Sequence, residues 1–145
     1  MRIAIPMKEF KIFVSNKPGE LARVTEALAS SAVNIRAIAS EGGNAKPFLR
    51  VVTTDAATAE RALKTAGLPF ELHETIDLEL MDRPGELAKI ARRLARQGVN
   101  VESIYLLGSK NGKTLLAMTV NASDMGKARA AVGGAVDPDR GVGLS

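Results

Sequence analysis

The sequence predicts an α+β protein made of two βαββαβ units in tandem, each with an antiparallel sheet and its helices on one face. Three observations lead to this prediction. A strand-to-helix turn occurs twice, and its second copy begins at Asp82, 66 positions after Asn16. Apolar residues alternate before each turn and recur at helical spacing after it. The remaining strand and helix patterns follow in the same order in both halves of the chain, with no linker between them.

Alternation predicts the first strand over residues 8–15, with Phe10, Ile12 and Val14 on one face. The turn that follows contains Pro-Gly, and we expect Asn16 to be the N-cap of the next helix, with Pro18 in its first turn. Apolar residues at helical spacing predict that this helix extends to about residue 31. The other elements expected in the first unit are a strand around 35–39, a strand over 48–53, a helix capped by Thr54 or Asp55 and ended by Gly67, and a strand over 70–74.

The second unit repeats this order from residue 76. Alternation predicts a strand at Ile76, Leu78 and Leu80, and helical spacing predicts a helix from about Leu87 to Leu94. Asn111-Gly112 is a strong signal for a hairpin between the next two strands. The other elements expected here are strands over 101–107 and 114–120, a helix over 124–132, and a weak fourth strand within 135–144.

The βαββαβ order is that of a ferredoxin-like fold. The sequence therefore predicts two domains, residues 1–74 and 75–145, joined directly where the fourth strand runs into the fifth. A unit of this size buries a marginal core alone, which favours packing of the two units together.

Composition excludes several classes of protein. There are no cysteines among the 145 residues, so disulfides, thiolate metal sites and cysteine nucleophiles are absent. No apolar run approaches the roughly 18 residues that a membrane span requires. The net charge is +4, but basic and acidic residues are intermixed, so we expect no nucleic-acid partner and no membrane contact. A cytoplasmic protein fits this composition.

No catalytic constellation is present in the sequence. His73 is the only histidine, and a lone strand histidine is more typical of a solvent-facing residue than of a catalyst. Asp77 and Glu79 share one strand face and are expected to face solvent rather than a metal. We therefore expect no enzyme activity, no cofactor and no metal. A basic helical stripe is interpreted as a solvated face or, alternatively, as a contact for an acidic protein: Lys89, Arg92, Arg93 and Arg96.

The repeated turn has a chemistry of its own. A tight turn that starts a helix leaves backbone N–H groups unpaired, and these attract anions such as a carboxylate. Gly19 and Gly85 would let a ligand approach the backbone closely. Each turn is therefore a candidate site for an anion.

These residues resemble the ACT domain. The resemblance rests on Asn16-Lys17-Pro18-Gly19-Glu20-Leu21 followed by Val33-Asn34-Ile35, and on Asp82-Arg83-Pro84-Gly85-Glu86-Leu87 followed by Val99-Asn100-Val101. It covers about residues 8–135. The whole chain is similar to small stand-alone proteins that consist of two ACT repeats and bind amino acids.

The resemblance implies a regulatory module that binds an amino acid where two ACT units meet. It assigns ligand contacts to the turns and to the asparagine before the second strand of each unit: Asn16, Gly19, Leu21 and Asn34, then Asp82, Arg83, Pro84, Gly85, Glu86, Leu87, Asn100 and Val101. The first copy departs from the pattern, since Asn16 replaces the usual aspartate and Ala32 stands where the second copy has Gly98. We therefore expect contacts centred on the second turn.

Two functions are consistent with the sequence. One is a non-catalytic sensor, forming a homodimer, that binds an amino acid or a related small metabolite and so regulates its target. The other is a ligand-free interaction or dimerisation module that acts as the regulatory partner of a metabolic enzyme.

Overall fold

The structure is a computed structural model that describes residues 7–43 and 46–133. Within it the chain divides between Glu74 and Thr75 into two compact units. Each unit has helices packed on one face of an antiparallel sheet, which confirms the predicted fold class. No helix among the described residues is long and apolar enough to cross a membrane.

The first unit contains four strands and two helices. In chain order they are β1 (Lys8–Phe13), α1 (Glu20–Ser30), β2 (Ala37–Glu41), β3 (Phe48–Thr53), α2 (Ala56–Thr65) and β4 (Phe70–Glu74). The strand order in the sheet is β2-β3-β1-β4, and all neighbours are antiparallel. β3 and β4 have the predicted bounds. β2 starts at Ala37, two residues later than expected, and Ile35 packs against the core ahead of the strand.

The core of the first unit lies between the sheet and its two helices. Phe10 and Ile12 of β1 are fully buried, as their alternation predicted. The helices contribute residues at helical spacing, and the buried core cluster contains Phe10, Ile12, Val24, Leu28, Val33, Leu49, Val51, Ala59, Leu63 and Leu68. The opposite face of β1 is not simply solvated: Glu9 is buried and paired with Arg50.

The predicted N-cap of α1 is wrong. The cap residue is Gly19, in the left-handed conformation at φ 95° and ψ −14°, and the helix begins at Glu20. Asn16 instead uses Nδ2 to donate a hydrogen bond to the carbonyl oxygen of Gly42, 3.0 Å away. Pro18 precedes the cap and so lies outside the helix. In α2, by contrast, Asp55 is the N-cap and accepts from the backbone N–H of Thr58.

The second unit repeats this architecture over the described residues. Its elements are β5 (Ile76–Met81), α3 (Glu86–Arg96), β6 (Val101–Lys110), β7 (Lys113–Val120) and α4 (Met125–Ala131), with a short 3-10 helix at Ala122–Asp124. The sheet order is β5-β7-β6. Its core is formed by Ile76, Leu78, Leu80, Ile90, Leu94, Val99, Leu116, Met118, Val120, Ala128 and Val132. The fourth strand expected within 135–144 lies outside the described residues.

The β6–β7 hairpin distinguishes the second unit. Asn111 and Gly112 form its turn with φ of 54° and 73°, which confirms the sequence prediction. β6 has ten residues against five in β2, and register shifts interrupt its pairing with β7 at two places. β6 is therefore longer than its counterpart and is interrupted by bulge-like irregularities.

The two helix-to-strand connections share one backbone conformation. Ala32 has φ 57° and Gly98, at the matching position, has φ 70°. Glycine adopts this left-handed region freely, whereas alanine is strained there by its Cβ. The first unit therefore carries the strain that its sequence departure predicted.

Candidate functional site: the two strand-to-helix turns

The two turns have nearly the same geometry. Gly19 has φ 95° and Gly85 has φ 90°, and each is the left-handed N-cap of the helix that follows. A Cβ on either glycine would meet no atom within 4 Å. The requirement for glycine is thus set by the backbone conformation and not by crowding.

Neither turn supplies a side chain to cap its helix. α1 and α3 start without a side-chain hydrogen bond to their first turn, whereas α2 has Asp55. Among the described residues, the backbone N–H groups at the second and third helical positions have no acceptor: Leu21, Ala22, Leu87 and Ala88. Exposed N–H groups at the positive end of a helix dipole form a site for an anion.

The side chains next to these amides are exposed and apolar. Leu21 is 56% exposed and Leu87 is 42% exposed, although each follows a buried glutamate by one position. The other turn residues that the resemblance nominated are exposed as well: Asn16, Gly19, Asp82, Arg83, Pro84 and Gly85. Each turn therefore offers open amides beside an apolar side chain.

The turn and the nominated asparagine do not meet within a unit. Asn34 accepts from Thr53 Oγ1 through its backbone oxygen, and Thr53 pairs with Lys8 at the start of β1. Asn16 lies beyond the other end of β1, where Phe13 pairs with Phe48. Five residue steps of β3 separate these ends, which is about 17 Å. This distance exceeds the length of a free amino acid.

The same separation holds in the second unit. Asp82 donates its backbone N–H to Gly112 at the hairpin, whereas Asn100 directly precedes Val101, which pairs with Val120 at the far end of β7. Asn100 is exposed. Val101 itself packs against the core of this unit.

The first turn borders a cavity of about 140 Å³. Its walls come from the turn, the start of α1 and the β2–β3 connection: Val14, Ser15, Asn16, Lys17, Glu20, Leu21, Ser40, Glu41, Gly42, Pro47, Phe48 and Leu49. Of these, the sequence had singled out only Asn16 and Leu21 for ligand contact. Sequence composition indicated only a loop for Glu41, Gly42 and Pro47, and a strand for Phe48 and Leu49, since their position against the turn depends on the pairing of β2 with β3.

A buried glutamate begins both helices. Glu20 Oε2 accepts a hydrogen bond from the backbone N–H of Ser15 at 3.0 Å. Glu86 Oε1 accepts from Arg83 Nε at 2.7 Å and from Lys89 Nζ at 3.1 Å. These two cations lower the pKa of Glu86, with Arg83 the larger cause. The sequence had nominated Glu86 only as part of the turn, and had assigned Glu20 no role.

Within residues 7–43 and 46–133 no group of three His, Asp or Glu side chains could hold a metal. His73 Nε2 lies 3.2 Å from Glu71 Oε1, and Asp77 accepts from Thr75 Oγ1 at 2.9 Å. Glu79 lies 3.8 Å from Lys113 Nζ. Local partners thus account for each of the groups that the sequence weighed as a catalyst or ligand.

The sequence and fold both match known proteins. A family model described as an ACT domain pair matches residues 5–131. Protein BT0572 from Bacteroides thetaiotaomicron is 28% identical, with a TM-score of 0.76 over 98% of this chain and 93% of that one. The regulatory subunit of aspartate kinase from Thermus thermophilus is 20% identical, with a TM-score of 0.63 over 92% and 95% of the two chains.

The fold also occurs inside a larger enzyme. Clostridium acetobutylicum aspartate kinase is 13% identical and has a TM-score of 0.59, with 91% of this chain matching 33% of that one. No curated protein sequence is significantly similar to the chain.

Proposed function

The chain belongs to the family of ACT domain pairs, and on that premise we propose that it is a non-catalytic regulatory protein that binds an amino acid at its strand-to-helix turns. The proposal depends on one observation: in α1 and α3, backbone N–H groups of the first turn have no hydrogen-bond acceptor among the described residues. Both begin at a left-handed glycine without a side-chain cap, although α2 in the same chain has one. A ligand carboxylate satisfies amides of this kind.

The separation of turn and asparagine constrains the site. Within one unit, the turn and the asparagine are too far apart for one small ligand to contact both. A ligand that contacts a turn residue, Asp82 or Asn16, and an asparagine, Asn100 or Asn34, must therefore contact the turn of one ACT unit and the asparagine of another. The unit that supplies the asparagine is either the other unit of the same chain or a unit of the second chain of a homodimer. Binding would then favour one arrangement of the units, which is how a ligand shifts a conformational equilibrium.

The relatives suggest what is regulated. The Thermus thermophilus protein is the regulatory subunit of aspartate kinase. We propose that this chain likewise acts on an enzyme of amino-acid metabolism in the cytoplasm, as a separate partner and without activity of its own.

A thermal-shift screen against each of the twenty amino acids, at millimolar concentration, tests the proposal. A ligand present at 100 times its Kd stabilises the folded state by about 2.7 kcal/mol. Gly85→Ala and Gly19→Ala should each weaken binding where that turn is used, because alanine disfavours the φ of 90° to 95° that orients the amides.

Gly67→Ala is the matched control. Gly67 has φ 69° after α2 and has open space around it, so the variant carries comparable strain away from both turns. We expect it to lower stability and to leave binding unchanged. A protein whose melting temperature responds to none of the twenty amino acids would not have the proposed function.

A second candidate function, the dimerisation module, is favoured by one observation. Ile104 and Leu106 lie on β6, at the edge of the described β5-β7-β6 sheet, and Leu106 is 73% exposed. An exposed edge strand with apolar side chains is a common site for pairing with another chain. Sedimentation of the wild type and of Leu106→Lys compares their oligomeric states. We expect the wild type to be a dimer and the variant to dissociate. A variant that remains dimeric argues against this function.

A further inference from the structure

The glutamate that begins each helix is used differently in the two units. In the first, Ser15 donates its backbone N–H to Glu20 Oε2. In the second, both hydrogen bonds of Glu86 fall on Oε1, from Arg83 and Lys89. Glu86 Oε2 is buried, and none of the described residues donates to it.

This oxygen is unusual because buried polar atoms in native proteins are nearly always paired. A buried charged acceptor without a donor costs free energy. The side chain of Glu86 is only 4% exposed, so water does not compensate freely. Oε2 is therefore a buried acceptor for which the described chain supplies no donor.

We propose that Glu86 Oε2 is the acceptor for the ammonium group of an α-amino acid whose carboxylate binds the open amides of Leu87 and Ala88. This inference rests on the function proposed above and assigns it to one turn. The second turn is the ligand turn. At the first turn, the backbone N–H of Ser15 already donates to the equivalent oxygen, Glu20 Oε2. That oxygen is therefore not the acceptor for a ligand ammonium group.

The arrangement suits the ligand chemically. Glu86, Leu87 and Ala88 are the first three residues of α3, so one helical turn presents an anionic acceptor beside two free donors. An α-amino acid carries its ammonium and its carboxylate on one carbon, and thus matches this pair of groups. A carboxylate without an ammonium would leave Oε2 unpaired, and such an unpaired group discriminates strongly between ligands.

In binding to Glu86, the ligand displaces Arg83 from the carboxylate. The Arg83 side chain is 55% exposed and contacts the carboxylate through Nε, so rotation into solvent is open to it. After that movement, the carboxylate of the ligand is an alternative partner for its guanidinium group. Arg83 is the larger cause of the lowered pKa of Glu86, and Lys89, the second cause, keeps its contact with Oε1 after Arg83 has moved away.

The experiment compares ligands with and without an ammonium group. Each L-amino acid is titrated by calorimetry into the full-length protein, together with the deamino acid that has the same side chain. We expect the wild type to bind at least one amino acid about tenfold or more tightly than its deamino analogue. Glu86→Gln should remove most of that preference, since it neutralises the acceptor.

Glu20→Gln is the matched control and should leave the preference unchanged. A preference that survives in Glu86→Gln places the ammonium elsewhere and overturns the inference. Equal affinity of the wild type for an amino acid and its deamino analogue also overturns it, and this comparison does not depend on whether the variant folds. In both cases the proposed function stands. Failure of all twenty amino acids to bind overturns the proposed function and the inference together.

Discussion

Arg83 Nε lies 2.7 Å from Glu86 Oε1, and this ion pair ties the second turn to the start of α3. Lys89 Nζ adds a second contact to the same oxygen at 3.1 Å. The hydrogen bond from Arg83, followed by that from Lys89, lowers the pKa of Glu86 below its ordinary value of 4.5. The charge of Glu86 therefore contributes to the stability of the fold at neutral pH.

The first prediction concerns acid stability. A carboxyl group whose pKa is lowered by folding stabilises the protein above its unfolded pKa, and the contribution is lost as the pH falls through the folded pKa. Urea unfolding of the wild type should therefore show a free energy that declines below about pH 4.5. The unfolding free energy of Glu86→Gln should decline less steeply over this range, and that of Arg83→Ala should also decline less steeply than that of the wild type. An unchanged slope in both variants would contradict the assignment.

The second prediction uses the matched left-handed positions Ala32 and Gly98. Ala32→Gly should stabilise the protein by roughly 0.5–1 kcal/mol, because glycine relieves the strain of the Cβ while costing some chain entropy. Gly98→Ala should destabilise it by about the same amount, since open space around Gly98 rules out a steric effect. Chemical denaturation measures both variants. Changes of the same sign would show that local conformation is not the cause.

The third prediction concerns the buried ion pair of the first unit. Arg50 Nη1 lies 2.8 Å from Glu9 Oε1, and the Glu9 side chain is fully buried. Arg50→Ala should cost about 3 kcal/mol of unfolding free energy, because it leaves a buried carboxylate without this partner. Replacing both residues by methionine should recover much of that loss.

Lys64→Ala supplies the control for the ion pair. Lys64 and Glu60 form an exposed pair one helical turn apart, with 3.1 Å between Nζ and Oε1. Its loss should cost only about 0.3–0.5 kcal/mol. Comparable losses for Arg50→Ala and Lys64→Ala in urea titrations would argue that burial of Glu9 has no energetic consequence.

The fourth prediction separates the capped helix from the uncapped ones. Asp55→Ala should destabilise the protein by about 1 kcal/mol, because the N–H of Thr58 loses its acceptor. Asn16→Ala should have a smaller effect, as it removes only an exposed contact with Gly42 and no helix cap. Equal effects in thermal unfolding would mean that Asn16 supports α1 after all.

The sequence by itself determined the elements and their order. Alternation located β1 and β5, helical spacing located the helices, and Asn111-Gly112 located the hairpin. These features depend on local backbone preference and on a repeating apolar face, and both can be read from neighbouring residues. The repeated turn also identified the family, since its glycine requirement is local to each turn.

Only the tertiary structure decided how these parts are used. It made Gly19 the cap of α1, because Asn16 turns away to bind Gly42 of a loop 26 residues later. It placed Asn34 and Asn100 at the far ends of their units from the turns, through the antiparallel register of each sheet. It also buried Glu9, and left one oxygen of Glu86 unpaired while pairing that of Glu20. Each of these outcomes depends on contacts between groups in three dimensions, and a linear pattern does not encode which charge will be buried or which donor will reach it.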